Sequence, residues 1–275
     1  MSKENSKTVL ITGSSTGIGR ETALYFQKQG WNVSATMRTP SKENILTKLE
    51  NTIVPKLDVT DTKSIQSAID ETIQKFGKID VIINNAGYGL IGPFEGASPE
   101  QIKKQYDTNV FGVMNVIRSI LPHYRKNKTG IIVNVASMGG RLTFPYYSLY
   151  HGTKWAVEGF SESLKFELEP IGIKVKIIEP GAIKTDFYER SNETTLEMSP
   201  IDYKNHCEKA FKSYENSEKN AIKAEKVAKV IFKASTDRSN KLRYSIGPDA
   251  KSLLFLRNFL PDSVYSGLIK LAILR

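Results

Sequence analysis

The sequence predicts an α/β protein: a doubly wound parallel sheet in a single domain, flanked by helices on both faces. Three observations predict it. Short, nearly continuous apolar runs alternate with longer stretches of helical period, the pattern of strands buried on both faces. A glycine-rich turn joins the first apolar run to the first helical stretch. The length, 275 residues, suits one large core without disulfide or metal staples.

Thr8-Val9-Leu10-Ile11 is a β-rich run that ends in Thr12-Gly13. Gly17-Ile18-Gly19 then opens a helical pattern through Ala23, Leu24 and Phe26 to Gly30, a natural stop. Val33–Met37, Thr52–Leu57, Ile79–Ile83, Ile131–Val135 and Val175–Ile178 read as further strands, with helices over roughly 61–76, 99–126 and 149–170. Right-handed crossovers wind such a chain into a Rossmann-type sheet. Residues 1–7 read as a flexible polar tail and 8–247 as the domain. Residues 248–275 read as an apolar helical extension: Leu253–Leu256, Phe259 and Leu260 stop at Pro261, and Val264, Tyr265, Leu268, Ile269 and Ala272 then form one apolar stripe.

Composition narrows the class. Forty per cent hydrophobic and 25% charged residues argue against disorder and disulfide scaffolds. The single cysteine, Cys207, fits a reducing compartment, and neither a secretory signal nor a run long enough to span a membrane is present, so a cytoplasmic location is expected. The net charge of +10 is concentrated late: residues 201–275 hold 15 Lys/Arg against 8 Asp/Glu. A solvated basic face is the ordinary meaning of such a run, and one that attracts anionic cofactors or lipid headgroups is the alternative. No aromatic-interleaved basic motif or zinc spacing accompanies it, so neither nucleic acid nor a metal is expected.

Gly13-Ser14-Ser15-Thr16-Gly17-Ile18-Gly19 sits between a strand and a helix, where glycines let backbone approach a dinucleotide pyrophosphate and the helix N-terminus offers unpaired N–H groups. At the end of the second strand an acid would hold the ribose hydroxyl of NAD, whereas arginine suits the 2′-phosphate of NADP. Here stand Met37, Arg38 and Thr39, and a guanidinium pairs bidentately with phosphate. NADP(H) is the expected cofactor, with NAD(H) as the alternative.

Tyr150-His151-Gly152-Thr153-Lys154 places a phenol and an ammonium four residues apart on one helix face. A phenol with an ordinary pKa near 10 is a poor proton donor at neutral pH, and a nearby cation favours the phenolate. Ser137 lies thirteen residues upstream at a strand end, where its hydroxyl can donate to a substrate oxygen.

Taken together, Thr12-Gly13-Ser14-Ser15-Thr16-Gly17-Ile18-Gly19, Asn84-Asn85-Ala86-Gly87, Asn109-Val110-Phe111-Gly112, Ser137 and Tyr150-x-x-x-Lys154 resemble the short-chain dehydrogenase/reductase family, from about Thr8 to Gly247. The resemblance implies a catalytic tetrad of Asn109, Ser137, Tyr150 and Lys154, with Asn109 kinking a helix and holding a water that links to the lysine. It implies cofactor contacts from the glycine loop, Arg38, Thr39, Asp58, Val59, Asn85, Ala86, Gly87, Tyr150, Lys154, Pro180, Gly181, Ile183 and Thr185. It places a variable substrate lid at 182–215 and suggests an apolar pocket from Tyr88, Ser137, Met138, Tyr147, Tyr150, Phe187 and Tyr188. Thr16 departs from the basic residue common in NADP-dependent members, and His151 from the usual small residue. The fragments around Met37-Arg38, Tyr88-Gly89 and Gly92-Pro93-Phe94 look more like the steroid- and retinol-reductase side of the family than the β-ketoacyl reductases.

The expected function is interconversion of a ketone or aldehyde and an alcohol, in a homodimer or homotetramer acting on a small hydrophobic substrate. The rival reading is a membrane-surface or partner-binding protein that keeps the cofactor fold without significant turnover. The stripe in 261–275 has three candidate burials: over its own substrate mouth, against a second subunit, or in a membrane interface as a peripheral contact.

Overall fold

In the computed structural model, which describes residues 6–184, 192–218 and 221–274, seven parallel strands form the central sheet. They are β1 (Thr8–Ile11), β2 (Asn32–Ala35), β3 (Thr52–Ile53), β4 (Val81–Asn84), β6 (Gly130–Val135), β7 (Ile173–Pro180) and β11 (Arg243–Ile246); β5 (Gly89–Ile91), β8 (Ile183–Lys184), β9 (Asn192–Thr194) and β10 (Ile222–Lys223) pair outside it. The order β11-β7-β6-β4-β1-β2-β3 reverses direction between β1 and β4. Such a switch point opens a crevice at the carboxyl ends of the strands.

Alternation along each strand divides the core. Val9 and Ile11 face one layer with Phe26, Val33, Ile83 and Ile178, covered by α1 (Gly17–Lys28) and α7 (Ala224–Thr236). Leu10 faces the other with Ile82, Ile132 and Ile177, covered by α2 (Thr62–Phe76), α4 (Gly112–Asn127) and α5 (Ser148–Leu168). Helix α1 buries Gly19, Thr22, Ala23 and Phe26, an i, i+3, i+4, i+7 stripe, and Phe26 meets Trp31 and Phe232 edge-on. Asp61 caps α2 by accepting from the N–H groups of Lys63 and Ser64, and Gly77 at φ 82° ends it.

Four expectations need correction. The strand expected at 52–57 shrinks to Thr52–Ile53 plus one bridge between Met37 and Lys56, because Pro55 has no N–H to donate to the ladder. The helix expected at 99–126 is two: α3 (Pro99–Tyr106) and α4, joined by a π-helical turn over Asp107–Phe111. A seventh strand, β11, falls in a stretch of the domain for which no element is expected. The stripe in 261–275 is not one buried face. After α6 (Lys204–Glu218) and α8 (Pro248–Phe259), helix α9 (Asp262–Leu274) buries Tyr265 and Ile273 and half-buries Ile269, while Val264, Leu268 and Ala272 face out. Its inner face joins Leu254 of α8 against Leu142, Met138 and Phe144 of the same chain. No helix among the described residues is long and apolar enough to cross a membrane.

Candidate active site

Two loops lock together at the switch point. Thr12 Oγ accepts from the N–H groups of Asn85 (3.0 Å) and Ala86 (3.1 Å), and Asn85 Nδ2 donates back to the carbonyls of Thr12 and Gly13. A Cβ on Gly19 would lie 2.2 Å from the Gly13 carbonyl, and one on Gly13 would lie 2.9 Å from Ala86 Cα. Only glycine fits at either place. Neither a side-chain cap nor an acidic residue occupies the first turn of α1, which leaves its N–H groups toward the crevice.

The expected cofactor residues separate here. Ser15 is exposed, Thr16 half-buried and Ile18 half-buried in the loop. Ser14 instead turns inward, its hydroxyl donating to the Ile11 carbonyl (3.0 Å) and its N–H to Thr36 O (2.9 Å), so it closes the loop. Arg38 and Thr39 are exposed at the end of β2, and Arg38 forms no ion pair among the described residues. Asp58 holds the next turn by accepting from Thr60, and Val59 backs the π turn against Gly112. After β7, Gly181 packs against Asp249, which also accepts from the Ala182 N–H, and buried Ile183 pairs with Ile222. Thr185, Phe187 and Tyr188 lie outside the described residues.

Strand β6 and helix α5 bring Ser137, Tyr150 and Lys154 to one place. Lys154 is buried, donates from Nζ to the Val135 carbonyl (3.0 Å), and sits 5.6 Å from the Tyr150 ring centroid. Burial pulls its pKa down to about 8. Two residues beyond Val135, Ser137 Oγ accepts from the Gly139 N–H (3.0 Å), which leaves its own proton to point elsewhere. Asn109 stands in the π turn and brackets Tyr88, accepting from its N–H (3.0 Å) and donating to its carbonyl (2.7 Å). Asn109 also donates to Thr153 Oγ (3.2 Å), whose hydroxyl bonds the Tyr150 carbonyl. The π turn thus ties the 85–88 loop to the turn of helix that carries the tyrosine.

Of the expected pocket residues, Tyr88 is half-buried with Lys104 over its ring, and burial raises its phenol to about 12. Tyr147 is buried, stacked on His151 at 5.2 Å and edge-on to Tyr214. Met138 packs under the C-terminal helices.

His151 is buried beside the tyrosine, its Nδ1 accepting from the Phe144 N–H (3.3 Å), and burial pushes its pKa down to about 3. It serves packing. Above pH 6.5 the imidazole is neutral folded or unfolded; below it the unfolded chain gains a proton that the folded chain refuses. Stability should therefore fall with acid by about 1.4 kcal/mol per pH unit, roughly 2 kcal/mol by pH 5. Melting curves at neutral and acid pH check this, and His151→Gln should flatten the difference; an equal acid response in both proteins would refute it.

Sequence reasoning missed two groups. A buried amide ladder runs from Asn84 Nδ2 to Asn134 Oδ1 (2.8 Å) and from Asn134 Nδ2 to Ser161 Oγ (2.8 Å), bracing β4, β6 and α5 behind the site. A charged cluster of Arg141, Glu158, Glu162, Glu179 and Arg243 lies beyond Lys154. Glu158 and Glu162 lie one turn apart on α5, but Arg141, Glu179 and Arg243 come from distant parts of the chain, and no local spacing reveals that they meet.

Comparison with known proteins identifies the family. The family model described as short chain dehydrogenase matches residues 7–196. The 3-ketodihydrosphingosine reductase of Bacteroides thetaiotaomicron is 37% identical over 257 residues, covering 93% of this chain and 94% of its own length. A short-chain dehydrogenase from Streptomyces avermitilis superposes with a TM-score of 0.84 at 31% identity, over 98% of this chain and 97% of that one. ElxO, solved with NADP bound, gives a TM-score of 0.74 at 31% identity over 90% and 100%. The chain belongs to the short-chain dehydrogenase/reductase family. It is a single-domain oxidoreductase.

Proposed function

We propose that the protein interconverts an apolar ketone or aldehyde and its alcohol, using NADP(H), with Tyr150 as proton donor and acceptor. The observation that carries this reading is the buried Lys154 ammonium held over the Tyr150 ring beside Ser137. The glycine cradle, into which no Cβ fits at Gly13 or Gly19, suits a pyrophosphate, with Ser15, Thr16 and the N–H groups of α1 as donors. The nicotinamide held beyond it would supply or accept the hydride. In reduction, Ser137 donates a hydrogen bond to the carbonyl oxygen, and Tyr150 passes its proton to that oxygen as charge develops there. Lys154 favours the phenolate that remains. Asn109 and Thr153 hold the tyrosine's turn of helix in place.

The exposed Arg38, without an ion pair among the described residues, supports NADP over NAD, as does the NADP bound by ElxO. Arg38→Asp should invert the preference, since a lost charge-assisted phosphate contact is worth about 1.5–3 kcal/mol, or roughly 10- to 100-fold in affinity. Titration of both cofactors into both proteins tests it, and tighter NADH than NADPH binding by the unmodified chain would overturn the assignment. The two aromatic rings of Tyr147 and Tyr150, with the apolar Met138, fit an apolar carbonyl compound, and the named activity of the Bacteroides relative puts long-chain 3-keto compounds in the first screen. That screen, following NADPH absorbance, tests the function itself. We place the protein in the cytoplasm, in keeping with its single cysteine, and assemble it as a homodimer or homotetramer, an assembly supported by the exposed Trp155 and Phe166 of α5. The second reading, attachment to a membrane or partner, draws on the exposed Phe255, Phe259 and Leu271 of α8 and α9. Vesicle flotation of the intact chain tests it.

A further inference from the structure

One helical turn along α5 from Lys154 stands Glu158, 3% exposed. Its Oε2 accepts from Arg243 Nε at 2.9 Å, while its Oε1 is buried without a hydrogen-bond partner among the described residues. Arg243, on β11, also donates to both oxygens of Glu162 and lies 3.6 Å from Glu179 Oε1. Glu179, fully buried on β7, accepts from Arg141 (3.3 Å) and from Ser245. Three carboxyl groups thus face two guanidiniums, and once all three are ionised one negative charge is in excess. Lys154 is the buried cation next to this cluster, and its ammonium is bonded to a neutral carbonyl, that of Val135. A buried ammonium without a counter-charge is costly. The turn after Ser137 presses on both groups: a Cβ on Gly140 would lie 2.7 Å from Glu158 Cγ and 2.9 Å from the Lys154 carbonyl.

We propose that Glu158 is a positioning residue for this site, supplying from one turn along the helix the buried negative charge that keeps Lys154 an ammonium. The consequence for turnover rests on the function proposed above; the charge coupling does not. Burial and the neighbouring Glu179 push Glu158 up to about 7, and burial pulls Lys154 down to about 8. The two groups are thus brought toward each other, and the Glu158 charge acts to raise the lysine. Removing that charge lowers the lysine's proton affinity.

The test is an NMR titration of the full chain labelled with ¹⁵N-lysine, with the Lys154 Nζ signal identified by its loss in Lys154→Arg. In Glu158→Gln, which keeps the volume and an acceptor for Arg243, the Lys154 midpoint should fall by about one pH unit, a tenfold loss of proton affinity. Glu162→Gln takes the same charge from the same arginine at a half-exposed position and should move the midpoint by less than about a third as much. A shift in Glu158→Gln no larger than in Glu162→Gln overturns the proposal. If the glutamine variant does not fold, Glu158→Asp decides: the charge is kept, so a full-unit fall there overturns it too. With NADPH and a ketone from the screen, the alkaline limb of kcat should move down with the midpoint. A moved midpoint in a chain that reduces no carbonyl compound would sink the catalytic reading and leave the coupling standing.

Discussion

Tyr150→Phe should lower kcat by a factor on the order of 10²–10⁴ on any substrate the carbonyl screen identifies. The substitution removes the one proton that the proposed reaction takes from the chain and leaves nearly everything else. The ring keeps its edge contact with Tyr147 at 6.1 Å and its place under the Lys154 ammonium. Asn109 and Thr153 hold the backbone carbonyl of residue 150, which the change does not touch. NADPH binding should therefore stay within a few-fold of the unmodified chain, and the melting temperature should barely move. Retention of more than about a tenth of wild-type kcat would show that the proton comes from elsewhere.

Deleting residues 261–275 should have the largest effect on stability. Tyr265 and Ile269 cover Leu254 and Leu142 in a cluster that also holds Met138, one residue beyond Ser137. Each large apolar side chain returned to water costs about 1.5–3 kcal/mol, so loss of this layer should lower the melting temperature by on the order of 10 °C. Turnover should fall with it, because Met138 and the Ser137 turn lose their outer support. Calorimetry and steady-state kinetics on the truncated chain check both. An unchanged melting temperature and unchanged kinetics, with lost vesicle binding, would instead assign the segment to a membrane surface.

How much of this was legible in the sequence follows from the range of the forces involved. The glycine loop, the strand alternation and the Tyr150–Lys154 pair are local, and local spacing reveals them. Val9, Leu10 and Ile11 declare by period two which layer each will join. Shortening of the third strand is local too, because Pro55 has no N–H to give the ladder. The π turn was not legible in the apolar period, since a helix with one extra residue differs little from a continuous one, and only the family resemblance implied a kink at Asn109. The charged cluster was least legible: Glu158, Glu179 and Arg243 meet only because β7 and β11 lie side by side, with Glu179 paired to Ser245. The two faces of α9 were misread for a related reason. Apolar residues occupy the helix nearly all round, so periodicity alone could not choose which of them face Leu254.

The π turn at Asp107–Phe111 fixes a length as well as a conformation. One residue more than an α-helix needs is held between α3 and α4, and each α-helical residue turns the chain by about 100°. Removing any one of the five would let the helix close into regular register and swing Pro99–Tyr106 by about a quarter-turn relative to α4. Tyr106, whose hydroxyl lies where a Cβ on Gly152 would come within 2.7 Å, would leave its place against α5, and Asn109 would lose its aim at Tyr88. A stretch that looks from its exposed residues like an ordinary surface helix is therefore a spacer of set count, open to substitution at Phe111 yet closed to a change of length.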